Sequence, residues 1–153
     1  MTRIPPLPRL LGLAGILPQA ACAVLVWLGD GGVAADRALL AGGLYAGLIL
    51  SFLGGLWWGL AASAPAAQGR GVLGWVWVAA VLPSLIAFAA GLWWLADPRQ
   101  PQPALVVLAF ALLASPLVDR RLAGMALAPR WWMSLRWPLS LALGLATLAL
   151  AVR

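Results

Sequence analysis

The charged residues of this chain fall in short clusters, and what separates the clusters is almost wholly apolar. Residues 10–28 lie between Arg9 and Asp30, residues 38–62 follow Arg37, and residues 71–96 run from Arg70 to Asp97. Residues 104–118 stop at Asp119, and residues 137–152 end at Arg153. A helix rising about 1.5 Å per residue needs about 20 apolar residues to cross a ~30 Å hydrocarbon core. The first three runs meet that length. The last two reach only roughly 23 Å by the same rise, so each must recruit flanking residues or thin the bilayer; the fifth can extend back to Trp131 if Arg136 snorkels to the headgroups. Only 9% of the residues are charged and 64% are apolar. A soluble domain carries about a quarter charged residues, and a water-exposed fold this poor in charge would present large apolar patches. The chain therefore reads as a single all-α domain over residues 1–153, an integral membrane bundle of five transmembrane helices.

Ten arginines oppose four aspartates, with no lysine, glutamate or histidine. In a nucleic-acid binder such cations gather on one water-facing surface; here they occupy the gaps between apolar runs. Five crossings put Arg3, Arg9, Arg70, Arg120, Arg121, Arg130 and Arg136 on one side. The other side receives Arg37, Arg99 and Arg153 with Asp30, Asp36 and Asp97. The positive-inside rule then predicts a cytoplasmic N-terminus and an external C-terminus. The abundance of Arg, Ala, Gly and Leu points to a bacterial chain and hence to the inner (cytoplasmic) membrane. The first run continues through Trp27 and Leu28, past the Gln19-Ala20-Ala21-Cys22 stretch that resembles a cleavage box, so a retained first helix is expected. Residues 119–136 read as an interfacial loop, in which Arg120, Arg121, Arg130 and Arg136 with Asp119 form a charge cluster beside Trp131 and Trp132. Such a segment suits the headgroup zone and anionic lipids at the cytoplasmic face. An ion pair from Asp119 to Arg136 is a structural expectation within it.

Several chemistries lack their residues. Without histidine, bis-histidine haem and Ser–His catalysis have no components. Cys22 is alone, so it makes neither an intrachain disulfide nor a cysteine metal site. No charge falls near the middle of an apolar run, where ion-coupled carriers and proton relays need one. No cofactor is called for. The most specific local pattern is in the second run, where Gly43, Gly47, Ser51, Gly55 and Gly59 recur every fourth residue with Gly54 beside them. Small residues at that spacing make a helix-packing groove, for another span of this chain or for another subunit. Most of the ten tryptophans fall near run ends, as in an interfacial belt. Pro18, Pro83 and Pro116 predict kinks.

The stretch Ile49-Leu50-Ser51-Phe52-Leu53-Gly54-Gly55-Leu56-Trp57-Trp58-Gly59 resembles the signature of the family catalogued as domain of unknown function 3429, small multi-span bacterial membrane proteins with mitochondrial relatives. Leu11-Gly12-Leu13-Ala14-Gly15-Ile16-Leu17-Pro18, Leu82-Pro83-Ser84-Leu85 and Trp131-Trp132-Met133-Ser134-Leu135-Arg136 with Pro138-Leu139-Ser140 are similar to it in order along the chain. The motif residues are thus Phe52, Trp57, Trp58, Pro83, Ser84, Trp131 and Arg136. Relatives often carry His where Trp57 stands, an aromatic where Gln19 stands, Tyr where Trp132 stands and Thr where Ser140 stands. The resemblance implies a membrane location and about five helices, and it implies no activity.

Three function classes follow. The leading one is a non-enzymatic component that interacts with or assembles other membrane proteins, or a second copy of itself, through the small-residue groove. The alternative is a small carrier or channel for a neutral or lipophilic solute, using the proline breaks in the first and third runs. An enzyme acting on lipid headgroups would have Asp119 as its sole acid near the interfacial loop, without the positioned partner that acid–base chemistry needs. Reporter fusions at Gly69 and Ala128 are expected to report the same side of the membrane and a fusion at Arg99 the other; Gly69 and Ala128 on opposite sides would refute five crossings.

Overall fold

The computed structural model describes residues 3–29, 31–64 and 74–153. The described residues form α1 (Pro6–Ala14), α2 (Leu17–Leu28), α3 (Val33–Ser63), α4 (Gly74–Ala96), α5 (Gln102–Gly124) and α6 (Trp132–Ala151), with no strand among them. α1 and α2 together make one span broken at Gly15 and Ile16, so five helices are long and apolar enough to cross a membrane. The expected start of the third run at residue 71 lies outside the described residues, as do Asp30, Pro65 and Arg70.

The helices begin and end for local reasons. Pro6, Pro18 and Pro103 sit in the first turns of α1, α2 and α5, where a missing N–H leaves no intrahelical bond unmade. Pro18 therefore opens α2 and does not kink a continuous helix. Gly31 and Gly32, at φ 81° and 89°, turn the chain from α2 into α3 in a region that side-chain-bearing residues avoid. α5 closes with Leu127 N–H on the Leu122 carbonyl and Ala126 N–H on that of Ala123. This pattern ends a helix through a left-handed residue, here Ala126 at φ 56°.

The fourth and fifth spans are longer than their apolar runs. α5 has 23 residues, about 35 Å of rise, and continues past Asp119 through Arg120 and Arg121. α6 starts at Trp132 and contains Arg136. The interfacial loop expected over residues 119–136 thus shrinks to residues 125–131. The charges at 119 and 136 do not end their helices because each turns inward, where a partner meets it.

α3 is the hub. It packs against α2, α4, α5 and α6, while α5 and α6 make the most extensive pairing of the bundle. Leu50, Leu53, Trp57, Val76, Leu108 and Leu112 are buried in the main core, and Val26, Ala38, Leu105 and Leu150 form a second cluster at the far end. Close approach depends on particular glycines. A Cβ at Gly54 would run into the Ala80 carbonyl oxygen of α4, and one at Gly144 would sit 2.5 Å from Leu113 Cγ of α5.

The expected single groove of Gly43, Gly47, Ser51, Gly54, Gly55 and Gly59 does not exist as one surface. Successive helical residues turn by about 100°, so a four-residue repeat drifts by roughly 40° per step. Gly43 faces Trp94 and Leu105 and Gly47 faces Ala87, whereas Gly55 and Gly59 have nothing within 4 Å among the described residues. Gly54, three turns below Gly43, continues the inward face. Gly54→Ala is accordingly expected to lower the stability of the detergent-solubilised protein by about 1–3 kcal/mol, because the opposing atom is backbone. Gly59→Ala should raise it by up to ~1 kcal/mol through helix propensity. Thermal unfolding followed by helical circular dichroism checks both, and equal effects would contradict the division.

Candidate functional site

At the end of the bundle where α5 meets α6, the spacing of polar residues aligns them. Ser115 and Asp119 are one turn apart on α5, and Arg136 and Ser140 one turn apart on α6, so each pair shares a face. The two faces meet. Asp119 is fully buried, and its Oδ2 accepts the Arg136 Nε–H at 2.7 Å. Its Oδ1 accepts the indole N–H of Trp57 at 2.9 Å, from α3, and that of Trp132 at 3.1 Å, from the first turn of α6. Arg136 also donates through Nη2 to Ser115 Oγ at 3.2 Å. Ser115 and Ser140 hydroxyls lie 3.0 Å apart, and Ser115 Oγ is 2.8 Å from the Leu112 carbonyl to which it donates. The network joins three helices. Both carboxylate oxygens are engaged, the condition under which a charge is tolerated away from water.

The ion pair between Asp119 and Arg136 is present, but the charge cluster around it divides. Arg120, Arg121 and Arg130 are exposed, with Arg121 5.9 Å from the Trp75 ring centre in a cation–π arrangement. Asp119 and Arg136 belong to the interior. The motif residues also separate. Trp57 is buried in the network, Pro83 packs near Gly54, Trp131 tilts against Trp132 at 5.8 Å, and Phe52 and Ser84 face outward. Trp58 is half exposed and meets Trp77 edge-on at 4.7 Å.

A second polar contact was not anticipated. Gln19 is fully buried and its Nε2 donates to Thr147 Oγ1 at 2.8 Å, tying α2 to α6, while its Oε1 has no partner. Nearby, the Tyr45 hydroxyl donates to the Gly15 carbonyl at 2.6 Å, meeting a backbone acceptor at the break between α1 and α2. The signal for both was a lone polar residue at an inward position of an apolar run. That signal shows only once the helix phase is known. Among the described residues no group of His, Cys, Asp and Glu is arranged to hold a metal.

Chemically, the Asp119 network is a clamp. Asp119→Asn would leave a buried guanidinium without its counter-charge, and a loss on the order of 3–5 kcal/mol is expected. Trp57→Phe removes one donor to a carboxylate and should cost about 1.5–3 kcal/mol. Replacing both charges, Asp119→Leu with Arg136→Met, should recover much of the single-variant loss. Thermal unfolding in detergent reads all three, and an unchanged Asp119→Asn protein would show that the pair contributes nothing.

Comparison with curated proteins and with solved structures finds no match. A family model does match, and it spans residues 4–152, from the first residues before α1 to the end of α6. That covers every helix and every residue of the clamp: the chain belongs to the family described as Protein of unknown function (DUF3429).

Proposed function

We propose that this protein is a multi-pass component of the bacterial inner membrane, cytoplasmic at its N-terminus, with a non-enzymatic role in interaction with or assembly of other membrane proteins. The observation that carries this reading is the outward face of α3. Phe52, Gly55 and Gly59 are exposed there, and the two glycines have no neighbour among the described residues. Glycine costs a helix about 1 kcal/mol relative to alanine, and at these positions none of the described helices gains the close approach that offsets it. A transmembrane helix from a partner protein, or from a second copy, would gain it.

Two further features support the reading. Three donors engage both oxygens of the buried carboxylate, which supports its reading as a fastener between helices over an acid–base group. Arg120, Arg121 and Arg130 point outward at the end of the bundle that carries the arginine excess, suiting anionic lipids at the cytoplasmic face. The carrier reading has less behind it. Tyr45 already occupies the Gly15 carbonyl at the break in the first span, and the Pro83 ring packs near Gly54 in the third.

The test is crosslinking in native membranes followed by mild-detergent purification of the tagged full chain. A recurrent partner or a defined homo-oligomer is expected, and Gly55→Leu with Gly59→Leu should abolish it without lowering thermal stability. Absence of any recurrent species, or association indifferent to the paired leucines, overturns the proposal.

A further inference from the structure

At the end of the bundle opposite the clamp, a cleft of about 890 Å³ opens between the α2–α3 turn, the α4–α5 turn and the C-terminus. Its mouth carries Asp36, Arg99 and Arg153, and its depth is apolar, with buried Val26 and Leu150 among the residues that line it. A narrower groove of about 410 Å³ continues from it along the seam of α3 and α4. The two share Leu44, Gly91 and Trp94, and the groove extends as far as Ser51 and Ser84.

The dimensions match one leaflet. From Asp36 to Ser51 is fifteen residues of α3, roughly 22 Å of rise, against about 20–22 Å for one leaflet of a bilayer that measures ~40–45 Å with its headgroup zones. Ser51 and Ser84 both fall near the midpoints of their helices. The cavity therefore starts at a membrane boundary and ends near the bilayer centre. A solute crossing the membrane would need a path through the second leaflet, whereas an acyl chain needs only this depth. Small side chains create the space: Gly47, Ala87 and Gly91 border the seam, and nothing lies within 4 Å of where a Gly91 Cβ would be.

Charge at the mouth selects the head of the occupant. Two guanidinium groups and one carboxylate line it, and among the described residues the only carboxylate–guanidinium salt bridge is that of Asp119 and Arg136. Among the described residues the Arg153 guanidinium donates to the carbonyls of Trp27 and Gly29 and lies 5.8 Å from the Trp27 ring centre. A fatty acid would offer the arginines a carboxylate but bring no cation to Asp36, which has no salt-bridge partner among the described residues. A phosphate flanked by a primary ammonium complements all three, the phosphate toward the arginines and the ammonium toward Asp36. We infer that this cleft and groove hold one membrane phospholipid with a phosphoethanolamine head, its acyl chain lying along the seam of α3 and α4.

The experiment reconstitutes the full chain in vesicles of equal phosphatidylethanolamine, phosphatidylglycerol and phosphatidylcholine. The protein is then extracted into mild detergent, washed, and weighed intact with its retained lipid by native mass spectrometry. A single retained phosphatidylethanolamine is expected. Gly91→Leu fills the seam and should abolish retention, while Gly91→Ala keeps it; both fit the open space, so folding is not at issue. Arg99→Gln should weaken retention about tenfold, the loss of one charge-assisted hydrogen bond. Asp36→Asn should leave retention but erase the preference for phosphatidylethanolamine over phosphatidylglycerol. Phe110→Ala, at an exposed position of α5 outside the cleft and the groove, should leave lipid retention unchanged. No retained lipid, retention without headgroup preference, or Gly91→Leu protein that still carries the lipid each overturns the inference.

Discussion

A carboxylate sealed inside an apolar bundle persists only when every lone pair that matters finds a donor, and Asp119 meets that demand with donors from α3 and α6. Because the donors come from separate helices, satisfying the charge also fixes how those helices stand relative to α5. Hydrophobic attraction cannot do this between lipid-facing helices, since lipid tails are as apolar as leucine. The clamp thus supplies directional constraint at one end of the bundle. At the other end, Trp27 donates to the Ala149 carbonyl and Arg153 reaches back to α2, fastening the first span to the last.

Between these two fastened ends, packing depends on where the backbone can come close. Gly54 against Ala80 and Gly144 against Leu113 mark the tight crossings, while Gly55 and Gly59 meet nothing among the described residues. One helix thereby serves both an internal contact and an unoccupied surface. The physical origin is the mismatch between a four-residue repeat and the 3.6-residue turn, which carries the small residues around α3 as it descends. The closed half of the stripe explains the pairing of α3 with α4. The open half is the surface the proposed membrane partner would use, and the cleft proposed for a lipid lies at the other end of α3.

The division of the arginines follows the same logic of environment. Arg136 is drawn inside by Asp119, whereas Arg120 and Arg121, only one and two residues beyond Asp119, stay outside because a 100° turn per residue points them elsewhere. Adjacent charges in one sequence cluster thus do different work. The interior one orders the helices. The outer ones stay exposed at the end of the bundle, Arg121 beside the Trp75 ring.

Alone, the order of residues determined that the chain is helical, that five of its segments can cross a membrane, and which family it joins, because apolar length and local motif are properties of consecutive residues. It also made the pairing of Asp119 with Arg136 conceivable, since the two bracket one short connection between apolar runs. It ended the fourth span at Asp119, which lies inside α5, and it allowed the fifth to reach back to Trp131 only with Arg136 snorkelling outward, whereas Arg136 is buried against Asp119. Only the tertiary structure decided that Asp119 and Arg136 lie within helices, that Trp57 and Trp132 complete their shell, that Gln19 finds Thr147, and that the glycine stripe splits. Those outcomes depend on rotational phase and on which helices become neighbours, and a charge is interior or boundary according to the partner that packing brings to it.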